Sequence, residues 1–313
     1  MRFDPVSDLE YKKKITKEIL KVKKERNAII LSHNYQRDEI QEIADIHGDS
    51  LALAHAAAKT TNDVIVFCGV QFMAESASIL NPQKTVLLPV KEAGCPLAEM
   101  ASAEKIREMR KKYPAAAVCC YINSSADVKA ESDICCTSSN AIEVVSSLEE
   151  EEVIFLPDRN LGRYVQKNVP EKKIIIWPGF CITHMRLQEE EILNAKREHP
   201  DAEVVAHPEC EPEVLQHADC ITSTGGMFTY VKRSSKKKFI IATENGMLYR
   251  LRIENPDKEF FLPSEHLICA NMKLTTLGWL LHSLQNMEYK VKVPDHLIER
   301  ARIPLERMFA LKK

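Results

Sequence analysis

The sequence predicts an α/β protein made of three αβα domains related by an approximate threefold axis, each built on a short parallel sheet. Two observations carry this prediction. Apolar runs of strand length alternate with helical stretches along the chain, the pattern of parallel sheets with helices on their faces. The same kinds of polar residue also recur at matching distances in three successive units, each closing on a cysteine. A recurring interval marks one supersecondary unit used several times.

The elements follow in order. Residues 8–26 read as a Lys-rich amphipathic helix with Leu9, Ile15, Ile19, Leu20 and Val22 on its apolar side. Ala28-Ile29-Ile30-Leu31 reads as a strand ending in Ser32-His33-Asn34-Tyr35, and Gly48-Asp49-Ser50 opens a helix over 51–58. A strand at 64–69, a helix at 71–80 and a strand at 85–89 lead to Ala93-Gly94-Cys95-Pro96. In the middle third, a strand at 117–120 ends in Tyr121-Ile122-Asn123, and residues 136–141 open a helix. A strand at 153–157 follows, and the buried run 174–177 is broken by Pro178-Gly179 just before Cys181. In the last third, Val204-Val205-Ala206 runs into His207-Pro208-Glu209, and Thr222-Ser223-Thr224-Gly225-Gly226 opens a helix. A strand at 239–243 follows, and Phe260-Phe261-Leu262 leads to Cys269. The expected divisions are a first unit with the N-terminal helix at 1–112, a second at 113–200 and a third at 201–282. Residues 283–313, with Pro294 and Pro304 punctuating short helices, are expected to form a tail that packs on the body.

The intervals are regular. His33 to Ser50, Tyr121 to Ser138 and His207 to Thr224 each span 17 residues, and Ser50 to Gly69, Ser138 to Pro157 and Thr224 to Thr243 each span 19. The last leg, to Cys95, Cys181 and Cys269, is 26, 24 and 26 residues.

Composition excludes several classes. A net charge of −2 leaves no basic footprint for nucleic acid. No apolar run approaches the roughly 20 residues of a membrane span. Met1-Arg2-Phe3-Asp4-Pro5 opens no signal-peptide core, so a cytoplasmic location is expected. Ten cysteines in a reducing compartment point to metal binding or catalysis and not to disulfides.

Threefold symmetry gives the repeats a chemical meaning, because equivalent residues converge on the axis. Cys95, Cys181 and Cys269 would present three thiolates to one point, which suits zinc or an iron–sulfur cluster. The close C-x2-C pairs usual in structural zinc sites are absent. A [4Fe–4S] cluster takes one cysteine per iron, so three ligands leave one iron open to act as a Lewis acid. Inert buried cysteines are the bland alternative. That reading fits Cys68, Cys119, Cys120, Cys135, Cys136 and Cys220, which lie in or beside apolar runs, while Cys210 has no counterpart in the other units.

A second ring, at the strand ends, comprises His33 and Tyr35, Tyr121 and Asn123, and His207 and Glu209. These are hydrogen-bonding groups, and Glu209, Tyr35 and the histidines are the leading acid–base candidates. A third ring, Ser50, Ser138 and Thr224, lies at or near helix starts, where a hydroxyl serves either as an N-cap or in an anion site. Together the rings point to an iron–sulfur Lewis-acid enzyme acting on a small polyanion by dehydration or condensation. A hydro-lyase for a single hydroxy-acid and a non-enzymatic zinc scaffold are the alternatives.

Several stretches carry a resemblance to a known family. They include Ser32-His33-Asn34-Tyr35, Gly48-Asp49-Ser50-Leu51, Phe67–Glu75, Gly94-Cys95-Pro96, Tyr121-Ile122-Asn123-Ser124 and Cys136–Ala141. Others are Pro157-Asp158-Arg159-Asn160-Leu161-Gly162, Pro178-Gly179-Phe180-Cys181, His207-Pro208-Glu209-Cys210, Ser223-Thr224-Gly225-Gly226 and Cys269-Ala270-Asn271-Met272-Lys273. Over nearly its whole length the sequence resembles the quinolinate synthases, the A protein of bacterial and archaeal NAD biosynthesis, and looks like their short form without an extra cysteine-rich tail. The resemblance implies a triangular three-domain fold around a central [4Fe–4S] cluster on Cys95, Cys181 and Cys269. It implies condensation of iminoaspartate with dihydroxyacetone phosphate to quinolinate, phosphate and two waters. By the same resemblance Glu209 and Tyr35 move protons, with His33, His207 and Tyr121 as further catalytic candidates. His33, Tyr121, Asn123, His184 and His207 orient substrate, and Ser50, Ser138 and Thr224 clamp anionic groups. An aspartate oxidase or dehydrogenase is the expected source of iminoaspartate.

Overall fold

Three sheets of four strands share one strand order. In the computed structural model, which describes residues 5–311, the first sheet contains β1 (Ala28–His33), β2 (Ile46–Gly48), β3 (Val64–Cys68) and β4 (Thr85–Leu87). The second contains β5 (Ala117–Tyr121), β6 (Ile134–Cys136), β7 (Glu152–Leu156) and β8 (Lys173–Ile176). The third contains β9 (Glu203–Ala206), β10 (Cys220–Ile221), β11 (Lys238–Ala242) and β12 (Glu259–Phe261). The orders are β2-β1-β3-β4, β6-β5-β7-β8 and β10-β9-β11-β12, and every pairing among these strands is parallel. The predicted α/β class with three short parallel sheets is therefore the observed one. In each sheet the chain reverses direction of travel between its first and third strands. The crevice at the carboxyl ends of such a pair is where open α/β sheets hold ligands.

The central strands form because both of their faces are covered. Val64–Cys68 and Ala117–Tyr121 are buried at every residue, as expected of apolar runs in a doubly covered parallel sheet. The short second strands are polar or tiny, and were not distinguishable from loops in the sequence. An aspartate fixes each of them. Asp45, Asp133 and Asp219 accept the N–H of Ile30, Val118 and Val204 at 2.8, 2.7 and 2.8 Å. Each also returns its own N–H to the carbonyl of that same residue at 2.9 Å. The threefold repeat thus extends to single hydrogen bonds.

Residues Pro5–Glu25 form one helix. Ile15, Ile19 and Val22 are its buried stripe, set against Ile30, Val66 and Leu87 of the first sheet and Leu280 and Leu284. Leu9 and Leu20, expected on the apolar side, are exposed, because they fall off the i, i+4, i+7 line that meets the sheet. A second correction concerns Pro304, which lies inside a continuous helix, Asp295–Ala310, and does not end it. An interior proline costs one main-chain hydrogen bond, about 3 kcal/mol. Burial of Ala301, Leu305 and Met308 against residues of the first two sheets offsets that loss. Cys220, expected beside an apolar run, is half-buried and packs against the edge of a core cluster of the third sheet. Residues 289–291 run along the edge of β4, through Leu88 N–H to the Tyr289 carbonyl and Val291 N–H to that of Val86.

The cores are unevenly shared. One continuous apolar cluster joins the first two sheets and the helix Asp295–Ala310, whereas the third sheet has separate clusters on its two faces. Hydrogen bonds cross between the third sheet and the rest, among them Asn271 Nδ2 to the Gly94 carbonyl, Asn160 Nδ2 to the Glu209 carbonyl and Gln41 Nε2 to the Gly246 carbonyl.

Candidate functional site

The carboxyl ends of the three sheets open on one cavity of about 210 Å³. The three rings expected from the sequence all contribute to its wall: Cys95, Cys181 and Cys269; His33, Tyr35, Tyr121, Asn123, His207 and Glu209; and Ser50, Ser138 and Thr224. His184, three residues after Cys181, lines it too.

Each cysteine sits on a loop clipped by the same main-chain bond. The N–H of Gln71, Arg159 and Asn245 donates to the carbonyl two residues before each cysteine, on Ala93, Gly179 and Leu267, at 2.8, 2.7 and 2.9 Å. Gly179 is needed here, because a Cβ would stand 2.5 Å from the Pro157 carbonyl oxygen. The turn after each cysteine aims amides back at its sulfur, from Leu97 and Ala98 at Cys95, from His184 at Cys181, and from Asn271 and Met272 at Cys269. Burial pushes all three thiols up, Cys95 to about 12 and Cys181 well above the usual thiol range, helped there by the Glu209 charge. Buried thiols of this kind ionise when a metal replaces the proton.

The second ring is held by a repeated turn. The Tyr35 N–H donates to His33 Nδ1 at 3.2 Å, and the Glu209 N–H donates to His207 Nδ1 at 3.3 Å. An Nδ1 that accepts leaves the ring proton on Nε2. Burial lowers both histidines to about 3, so both are neutral Nε2–H donors at neutral pH. His207 Nε2 meets Ser138 Oγ at 3.1 Å. Its Nδ1, 3.5 Å from Glu209 Oε2, therefore makes no ion pair there.

Glu209 is the buried carboxylate of the ring. Burial would raise it, but the hydrogen bonds from His184 and the Tyr121 hydroxyl reverse that and keep it below the usual carboxylate range. With His207 neutral, the His184 and Tyr121 donors are what keep it ionised. His184 Nδ1 lies 2.9 Å from Glu209 Oε2 and 3.2 Å from Cys181 Sγ, and its Nε2 lies 2.9 Å from Thr243 Oγ1. Tyr35 Oη reaches the same Thr243 hydroxyl at 2.6 Å. Burial and the Glu209 charge push Tyr35 and Tyr121 well above the usual phenol range, so both remain protonated.

In the third ring, neighbours perform the capping. Asp49 caps the helix Ser50–Lys59 by accepting from Ala52, and Ser223 caps Thr224–Arg233 by accepting from Gly226. The hydroxyls of Ser50 and Thr224 are thereby spared that task. Ser138 stands in the turn just ahead of the helix Ala141–Ser146, near its start but not at the cap, which is Asn140. Gly225 is a close-approach residue, since a Cβ would lie 2.6 Å from Asp49 Oδ2.

Residues 17–310 match the family described as NadA, quinolinate synthetase A protein. The chain belongs to the quinolinate synthetase A protein family. It is 58% identical over 288 residues to a quinolinate synthase from Geobacter sp. (strain M21), covering 92% of this chain and 94% of that one. Identity is 55% to the quinolinate synthase of Geobacter metallireducens, over 95% of this chain and 97% of the relative. It is also 55% to that of Dehalococcoides mccartyi, over 95% and 98%.

The donor set in this member of the quinolinate synthetase A protein family fits a metal cofactor. The three thiols are free, and they lie close enough for Cys95 and Cys269 to add to the electrostatic field at Cys181. Cys181, His184 and Glu209 also bring one ligating atom each within 4.8 Å of one another. Glu209 Oε1 and Asn123 Oδ1 are buried without a hydrogen-bond partner, as is characteristic of groups meant for a ligand. Sequence reasoning missed Thr243 as the link between Tyr35 and His184, and missed Asp158 and Glu244 behind the cysteine loops. Thr243 was in view as a repeat marker, at the offset that Gly69 and Pro157 occupy in the other units. Among the described residues no helix is long and apolar enough to cross a membrane.

Proposed function

We propose that this chain is a cytoplasmic quinolinate synthase, condensing iminoaspartate with dihydroxyacetone phosphate to give quinolinate, phosphate and two waters. The observation that carries the reading is the meeting of three cysteines, 86 and 88 residues apart, on one cavity whose wall also carries hydrogen-bonding side chains, the carboxylates of Glu209 and Asp49 and the guanidinium of Arg186. Cys95, Cys181 and Cys269 would hold a [4Fe–4S] cluster with one iron free of protein ligands. Such a group supplies Lewis acidity toward a hydroxyl or carboxylate oxygen.

The chain's own residues supply the rest. Glu209, with Oε1 unpaired, is the proton acceptor, and protonated Tyr35 is the donor beside it. The Nε2–H groups of His33 and His207, with Tyr121, Asn123 and His184, orient carboxylate and phosphate oxygens. The hydroxyls of Ser50, Ser138 and Thr224 complete the clamp, two of them beside helix N-termini that favour anions. Iminoaspartate hydrolyses in water, so an enclosed cavity serves the reaction. An aspartate oxidase or dehydrogenase would supply it.

The test is iron and sulfide analysis of anaerobically purified protein, followed by quinolinate assay. A brown protein with about four irons and four sulfides that forms quinolinate is expected. The grouping of Cys181, His184 and Glu209 favours a second reading, a mononuclear zinc site. A colourless protein that takes up only zinc after reconstitution would establish it and end the iron–sulfur reading.

A further inference from the structure

Two buried carboxylates repeat one hydrogen-bonding pattern behind the cysteine loops. Asp158 follows β7, and Glu244 stands at the corresponding place after β11; both are fully buried. Asp158 Oδ1 accepts the Leu161 N–H at 2.8 Å, and Oδ2 accepts the Cys181 N–H at 3.1 Å. Glu244 Oε2 accepts the Gly246 N–H at 2.7 Å, and Oε1 accepts the Cys269 N–H at 3.1 Å. Lys273 Nζ, 3.0 Å from Oε1, braces the second of these. Each carboxylate therefore engages both oxygens with main-chain N–H groups, one in the turn that follows it and one on the cysteine itself. The corresponding residue of the first unit is Val70, which has no acceptor to offer Cys95. That loop is held by Gln71 N–H on the Ala93 carbonyl and by Asn271 Nδ2 on the Gly94 carbonyl at 2.8 Å.

We propose that Asp158 and Glu244 are positioning residues that lock the Cys181 and Cys269 loops in ligating geometry before the metal arrives. Each must be a carboxylate, because an amide of the same shape has one acceptor oxygen where two are used. The proposal rests on the reading of Cys181 and Cys269 as cluster ligands. It assigns the lock to two of the three ligands and leaves Cys95 without one.

The variants D158N and E244Q preserve side-chain volume. In metal-free protein, amide hydrogen exchange at the Cys181 N–H in D158N, and at the Cys269 N–H in E244Q, should quicken about tenfold, the equivalent of one lost hydrogen bond. Exchange at the Cys95 N–H should not change in either. In the reconstituted protein, iron release to a chelator should quicken about 10–100-fold, the range for removing groups that orient metal ligands. Gln188→Ala opens the capping box of the surface helix Glu189–Glu198 and controls for general loosening, so it should alter neither readout. Unchanged exchange and unchanged iron release in both variants overturn the proposal. A wild-type protein that stays iron-free after reconstitution overturns the cluster reading instead, and the exchange rates of the metal-free protein then still decide whether the lock exists. Should D158N fail to fold, E244Q and the Cys269 N–H carry the decision.

Discussion

The main-chain N–H of Tyr35 points at Nδ1 of His33, 3.2 Å away. A neighbour's backbone thus chooses which nitrogen of the imidazole carries the proton, and the choice is repeated by Glu209 on His207. Both rings are delivered to the cavity as neutral donors.

That arrangement has a signature in acid. The folded pKa of His33 and His207 is about 3, below the ordinary value of 6.5. Between those limits the unfolded chain binds more protons than the folded one, so stability is full above about pH 6.5 and is lost as pH falls toward 3. Each histidine contributes a slope of up to about 1.4 kcal/mol per pH unit. Urea unfolding of the metal-free protein at pH 7 and pH 5 should show the decline, and His33→Asn should roughly halve it, leaving the His207 share. An equal slope in the variant would rule out this source.

Cys181→Ala removes one thiolate from the cavity. The expected result is loss of iron and sulfide together with loss of quinolinate formation. An intact cluster with full turnover in the variant would sink the three-cysteine assignment.

Glu209→Gln keeps the size of the side chain and removes its charge. Turnover should fall by about 10²–10⁴, the range for losing a general acid–base group, while iron and sulfide content stay at wild-type levels. Normal turnover would assign the proton transfer to another residue.

Thr243→Val takes a hydroxyl from between Tyr35 and His184. Both buried groups then lose a partner, at a cost of about 1–3 kcal/mol in stability. Denaturant unfolding measures the loss. The kcat should fall more than KM rises, because the groups set adrift are those placed for proton transfer and orientation.

The sequence disclosed most of the fold where burial is two-sided. Runs such as Val64–Cys68 are apolar at every position, so they declare themselves without periodicity. The second strand of each sheet did not, because Ile46–Gly48 and Cys220–Ile221 are two or three residues long and lie at a sheet edge. Pro304 misled because its helix is held by packing and not by main-chain bonds alone. The cavity-facing groups were legible through repetition: a histidine is ambiguous alone, but His33, Tyr121 and His207 at equal offsets are not. Asp158, Glu244 and Thr243 escaped because their partners are backbone groups, or side chains from other units, which no spacing along the chain encodes.

The uneven sharing of the core has a consequence for how this molecule can change. The third sheet is joined to the other two by hydrogen bonds as well as by apolar contacts at Met272 and Tyr35, and several of these bonds, Tyr35 to Thr243, Ser138 to His207 and Asn34 to Thr224, are made by groups that face the cavity. Adhesion across this seam and reactivity inside it draw on the same atoms. Selection for heat resistance alone would stiffen the seam first and silence the chemistry before the fold was in any danger. The tolerant places for hardening such a protein are the fused first and second cores and the helix Asp295–Ala310 that straps them together.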